Sequence, residues 1–312
     1  MIEAGLMVAR FLHYVAVTTL AGASLFPLYG YPRGDGHQPR ALTRRIQAVL
    51  FTAANVALLS GILWFMLTVA NMSGTLEGVL DREMLSTVLG ETSFGNVWIA
   101  RLVLSVVIIV VIWNRFDPGS SPRRDMITSG LAAVLLVSLA GVGHSQVEEG
   151  MAGTVHVVSD AAHLLAAGAW LGGLVPLVLI LSSYDREVPP ATDHLDQVLM
   201  RFSGMGYVAV AILTGSGLVN SWYLVGNITA LPTTRYGQLL LTKLALFAAM
   251  LLLAVINRFW LVPSMSKARA QCAGSSFWTD RLRTHVLGEQ LLGLAVLMIV
   301  SVLGTIRPAI GQ

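Results

Sequence analysis

Charge is scarce in this chain of 312 residues. Only 12% of its residues are Asp, Glu, Lys or Arg, against 55% hydrophobic. A soluble domain carries about 25% charged residues, so the chain reads as a polytopic membrane protein whose natural surroundings are the lipid bilayer. Cysteine is almost missing. Cys272 stands alone, which rules out an internal disulfide and a multi-cysteine metal site. No loop of the form GxxxxGK[ST] occurs, so no nucleotide drives a transport step through that motif. No array of basic residues with interleaved aromatics occurs either, which excludes nucleic-acid binding, and the modest net charge of +3 reflects loop charges that orient the chain. A basic leader segment is absent. Glu3 precedes the first apolar run and Arg10 leads straight into it, so the first thirty residues are not expected to be cleaved. Proline interrupts no apolar run at its centre; Pro27 and Pro176 fall late in theirs, where a kink is tolerated.

What the chain has is apolar runs of membrane-spanning length, about 20 residues each. Eight are expected, near residues 10–30, 46–70, 96–114, 127–144, 158–182, 202–225, 238–257 and 285–306. Fourteen of the 20 basic residues fall in the loops that follow odd-numbered spans, among them Arg33, Arg44, Arg124, Lys267 and Arg283. The excess of Lys and Arg marks the cytoplasmic side, so both termini are expected on the periplasmic side of a bacterial inner membrane. The outer loops are acidic instead, with Glu77, Asp81, Glu83, Glu91, Glu148 and Glu149.

The chain also repeats itself. "FLHYVAVTTLAG" at 11–22 aligns with "AAHLLAAGAWLG" at 161–172, which pairs His13 with His163 and Gly22 with Gly172. "ALLSG" from Ala57 aligns with "AILTG" from Ala211. "TSFGNVWIARLVL" from Thr92 aligns with "TRYGQLLLTKLAL" from Thr234, pairing Arg101 with Lys243, and "WNRF" at 113 aligns with "INRF" at 256. Four spans per copy keep both copies in the same orientation. The expected fold is therefore all-α, with eight transmembrane helices in a parallel four-plus-four repeat, residues 1–146 and 147–312, forming one membrane domain with a site at the interface between halves.

Ionisable residues inside spans are costly and tend to face the bundle interior. His13 and His163 are each expected about one turn into a span, while His144 closes the fourth and His156 opens the fifth. His156, Asp160 and His163 share one helical face. The two imidazoles are about 10 Å apart along the axis, too far to hold one ion on an intact helix, so they form two successive sites or one is not a ligand. Asp160 serves as a ligand or orients an imidazole. Met151, Glu148 and Glu149 are accessory candidates. Arg101 and Lys243 either snorkel outward or pair with Asp160 or with an anionic headgroup, and Glu289, a turn into the last span, is an interfacial residue or an inner relay. His37, His194 and His285 read as ordinary loop residues. Imidazole, thioether and carboxylate donors suit copper as Cu(I) or Cu(II), with zinc also open.

"GHS" at 143, "DAAHLLAAGAWLGGL" from Asp160, "YGQLLLTKLALF", "NRFWLVP" and "LGTIRP" together resemble the copper resistance protein D (CopD) family, and "ARFLHYVAV" fits that family's opening span. The resemblance implies an inner-membrane protein linked to copper uptake from periplasm to cytoplasm, beside a periplasmic CopC-type copper-binding partner. It places the family's functional positions at His144, His156, His163 and His13. No enzymatic activity is expected on this reading. Two rivals stand beside it. One is a haem-binding redox protein, a cupric reductase or quinone-linked, with paired histidines on the iron and Arg101 and Lys243 on the propionates. The other is a non-transporting copper sensor or scaffold that docks the chaperone.

Overall fold

Small residues between Ala16 and Ser24 let other backbones approach the first helix closely, and that helix becomes the centre of the molecule. The computed structural model describes residues 1–31, 40–114, 122–140, 150–184, 192–271 and 275–311. Helix α1 (Ile2–Tyr29) buries Leu6, Ala9, His13, Ala16, Val17, Leu20, Gly22 and Phe26. It packs against α2 (Arg40–Ser73), α5 (Pro122–Val137), α7 (Gly173–Tyr184) and α12 (Ser275–Leu303). After α2 come a short helix, α3 (Arg82–Glu91), and α4 (Ser93–Trp113). The second part comprises α6 (Gly150–Ala167), joined to α7 by a turn of π-helix at Gly168–Gly172, then α8 (Thr192–Val225), α9 (Ala230–Thr233) and α10 (Arg235–Ile256). A second π-turn at Asn257–Leu261 joins α10 to α11 (Val262–Ala270).

The described residues form no strand. Among the described residues, seven helical stretches are long and apolar enough to cross a bilayer: Ile2–Tyr29, Ala41–Ser73, Phe94–Trp113, Gly150–Ser183, Leu195–Val225, Arg235–Arg269 and Ser276–Leu303. The run expected at 127–144 corresponds to the 16 residues of α5 and a turn ending at Ala140; residues 141–149, with His144, Glu148 and Glu149, lie outside the described residues. Exposed Leu59, Val103, Leu218 and Leu291 give the outer faces the apolar surface that lipid covers.

Helices α1 and α6 begin at Ile2 and Gly150, so His13 and His163 each sit about three turns into their helix. Helix α12 begins at Ser275, which puts Glu289 midway along its 29 residues and 3% exposed. In each case the backbone hydrogen-bond ladder starts a polar or weakly apolar turn before the apolar run.

Helices α4 and α10 start with the same device. The Thr92 hydroxyl oxygen accepts from the Gly95 N–H at 2.9 Å, and that of Thr234 from the Gly237 N–H at 3.0 Å, each an N-cap. A side chain on Gly95 would collide with the Val88 carbonyl, and one on Gly237 with the Ala230 and Leu231 carbonyls. Helices α1 and the α6–α7 segment cross at Gly22, where an added methyl would overlap the Gly168 carbonyl oxygen, and at Gly172, where it would overlap that of Thr18. Farther along, Asp196 on α8 accepts from Arg269 at 2.9 Å and from Ser266 at 3.0 Å, tying α8 to α11. Asp196→Ala is expected to cost about 1 kcal/mol or less, as for other partly exposed ion pairs, and a thermal melt in detergent measures it.

Candidate metal-capture site

Two clusters each hold an imidazole against a Ser-Gly pair and near a cation, but they differ in what they leave open. In the first, His13 is 1% exposed and its Nδ1 lies 3.0 Å from the Ala57 carbonyl oxygen and 3.1 Å from Ser60 Oγ. A carbonyl can only accept, so Nδ1 carries the proton and Nε2 the lone pair. The Arg101 guanidinium donates to that lone pair. Arg101 is itself 2% exposed, donates also to the Leu135 carbonyl at 3.2 Å and to Ser138, and lies over the Trp98 ring at 5.0 Å. Trp64 and Trp98 meet the His13 ring edge-on. Both ring nitrogens of His13 are thereby engaged, and no lone pair remains for a metal while Arg101 stays in place.

In the second cluster the His163 Nδ1 lies 2.9 Å from Ser216 Oγ. That hydroxyl gives its own proton to the Ile212 carbonyl at 2.6 Å, so its oxygen accepts and Nδ1 again carries the proton. No described residue takes the Nε2 lone pair. Asp160, one helical turn away, accepts from Asn220 at 3.4 Å and is within electrostatic reach of His156 and Lys243, while His163 lies within reach of Lys243. The His156 ring is 2% exposed and stacks on Tyr223 with centroids 4.8 Å apart. The structural partner of Ser60-Gly61 is thus Ser216-Gly217, not the Thr214-Gly215 that the sequence alignment pairs with it. Gly61 and Gly217 both sit beside the Cε1 of their imidazole.

The expected residues sort accordingly. His156, Asp160, His163 and Lys243 gather in the second cluster. His13 and Arg101 form the first, and the partners of each imidazole come from its own cluster rather than from across the α1–α6 crossing. Met151 is 85% exposed at the start of α6. Glu289 belongs to neither cluster; it accepts from Asn257 at 2.6 Å. Among the described residues no three His, Cys, Asp or Glu side chains converge as a metal cage. Haem fits poorly for the same reason that a metal does at His13: iron would have to displace Arg101 from Nε2. The sequence did not assign Ser60 or Ser216 to the imidazoles, although both contact a ring Nδ1. The only signal was that the Ser-Gly dipeptide occurs in both matched helices.

Comparison with known proteins gives consistent results. Residues 1–154 match the family model described as copper resistance protein D-like, N-terminal domain, and residues 196–303 the model for copper resistance protein D. The chain is 31% identical over 303 residues to inner membrane protein YebZ of Escherichia coli (strain K12), spanning 96% of this chain and 97% of that protein. It is 32% identical over 306 residues to copper resistance protein D of Pseudomonas syringae pv. tomato, spanning 96% and 95%. It is 32% identical over 253 residues to copper transport protein CutJ of Bacillus subtilis (strain 168), spanning 80% of this chain and 45% of that protein. No solved structure gives a significant match.

Proposed function

The chain belongs to the copper resistance protein D family, and from that premise we propose that it carries copper inward across the bacterial inner membrane, binding it first at His163. The observation that carries this reading is the Nε2 lone pair of His163, which no described residue takes while Ser216 engages Nδ1, with Asp160 one helical turn away. An imidazole whose second nitrogen is fixed by a hydrogen bond is the usual form of a metal ligand. Asp160 neutralises part of the ion's charge, and Asn220 orients the carboxylate. His156, six residues into α6, is the outermost ligand. His144, in the nine residues that lead into α6, supplies a further imidazole, with Glu148 and Glu149 concentrating cations at the mouth. His13 holds Arg101 and binds no ion in this state.

The protein acts as a carrier and not as an enzyme, with both termini periplasmic and copper as cargo. A periplasmic CopC-type protein delivers the ion to the outer loops. The shared threonine caps, the shared Ser-Gly seat for each imidazole and the crossing at Gly22 and Gly172 support a four-plus-four repeat, 1–146 and 147–312. Passage then involves one half moving against the other.

The test is metal content of purified protein loaded with copper, wild type beside His163→Ala and Asp160→Asn, with copper uptake by the corresponding cells. Near-stoichiometric copper in the wild type, at least tenfold less in His163→Ala and an intermediate loss in Asp160→Asn are expected, with uptake falling in the same order. Unchanged copper content in His163→Ala would refute the assignment of the site. Unchanged uptake with lost binding would refute the carrier reading alone.

A further inference from the structure

A cavity of about 220 Å³ lies between α8, α10, the second π-turn and α12, away from both imidazole clusters. Its walls are apolar, formed by residues such as Leu177, Phe202, Val210, Leu251 and Val286. Tyr207, Val255 and Phe259 also line it and are 55%, 46% and 60% exposed on the outer, lipid-covered face. The cavity therefore opens sideways into the bilayer. At 220 Å³ it exceeds the roughly 150 Å³ that accommodates a benzene ring in an engineered protein cavity.

The polar end of this cavity is made by the two π-turns. Trp170 comes from the first and Asn257 from the second; Asn257 donates to the buried carboxylate of Glu289, and Trp170 lines the cavity beside it. Asn257 spends its amide N–H on Glu289 Oε1, which leaves its Oδ1 buried without a partner. Arg258 donates to Met200 Sδ at 2.9 Å, and its Nε is buried without a partner. A buried polar atom left unpaired costs about 1–3 kcal/mol, and three polar groups among the lining residues bear on this need: the Asn257 amide oxygen, the Glu289 carboxylate and the Arg258 N–H. A hard metal cation wants six or more oxygens, and an apolar wall provides none. A hydroxyl both donates and accepts and fits what is open.

We propose that this cavity binds a lipid-soluble, single-ring phenol or hydroquinone that enters from the bilayer, with its hydroxyl hydrogen-bonded at Glu289 and Asn257. The ring fills the apolar body of the cavity, and any tail lies along the lipid-facing mouth. This proposal does not depend on the copper reading, since none of these residues belongs to the imidazole clusters.

The test uses the full-length purified protein in detergent, titrated anaerobically with tetramethylhydroquinone, its dimethyl ether and tetramethylbenzoquinone, and read by calorimetry and thermal melting. The hydroquinone is expected to bind and to raise Tm, with the ether and the quinone at least tenfold weaker, because neither offers a proton to the carboxylate and amide oxygens. Glu289→Gln is expected to weaken hydroquinone binding severalfold, since a hydrogen bond to a charged group is about twice as strong as one to a neutral group. Gly206 lines the cavity and has open space around its missing side chain, so Gly206→Leu fills the cavity without touching Glu289 and is expected to abolish binding with Tm of the free protein preserved. Equal binding of all three compounds would overturn the proposal in favour of a lipid acyl chain as occupant. Unchanged binding in Gly206→Leu would overturn the location. Retained copper binding in both variants keeps the outcome distinct from that at His163.

Discussion

Gly172→Ala is expected to lower the stability of the protein by about 1–3 kcal/mol, the usual cost of forcing extra atoms into a packed interior. The estimate rests on what the methyl would meet: the Thr18 carbonyl oxygen and the Gly22 backbone N and Cα at 2.9 and 2.8 Å. Backbone cannot rotate out of the way as a side chain can. Gly22→Ala meets the same obstacle from the other side, at the Gly168 carbonyl. The two sites touch, so their effects are not additive, and the double variant is expected to cost less than the sum of the singles once the helices have been pushed apart. Gly130→Ala is the control. It lies in α5 with open space around the added methyl and is expected to be neutral or slightly stabilising, since alanine is about 1 kcal/mol better than glycine within a helix. Melting curves in detergent, read by fluorescence-detected size exclusion, separate these cases.

The second large effect concerns His13. His13→Ala removes the acceptor from a guanidinium that is 2% exposed and leaves part of it unpaired. The loss of a partner to a buried charged group costs upward of about 1–3 kcal/mol. A marked fall in folded yield and Tm is expected, with copper binding per folded molecule retained. Replacing both partners, in His13→Leu with Arg101→Met, is expected to recover much of the stability lost in His13→Ala, because a buried polar or ionic group is most harmful when its partner alone is removed. If His13→Ala melts like the wild type but loses copper, the roles of the two imidazoles are the reverse of those proposed here.

The contrast between the two histidines was only half legible in the sequence. The helical spacing of His156, Asp160 and His163 is preserved in α6, and the pairing of Arg101 with Lys243 coincides with two identical threonine caps. Neither the start of α1 nor that of α12 could be read from hydropathy, which registers lipid and not hydrogen bonding. The alignment of apolar helices also slipped by two residues at Ser216, because Leu, Ile and Val match one another at almost any register, whereas a single hydroxyl facing an imidazole has one position. The π-turns at Gly168 and Asn257 left no mark that periodicity could detect. Each inserts one residue into a ladder whose side chains stay apolar on both sides, and π-turns of this kind gather at functional sites. The convergence of Trp170, Asn257 and Glu289 from three separate segments depends on them.

The glycine crossing has a mechanical meaning beyond packing. His13 and His163 each precede their crossing glycine by nine residues, about 13 Å along the helix axis. Bare backbone on bare backbone gives a bearing with no interlocking side chains to resist a change of angle. Each imidazole then sits at the end of a lever of the same length on either side of the pivot. A change of about 10° in the crossing angle moves each ring by roughly 2 Å, about the length of one metal–nitrogen bond.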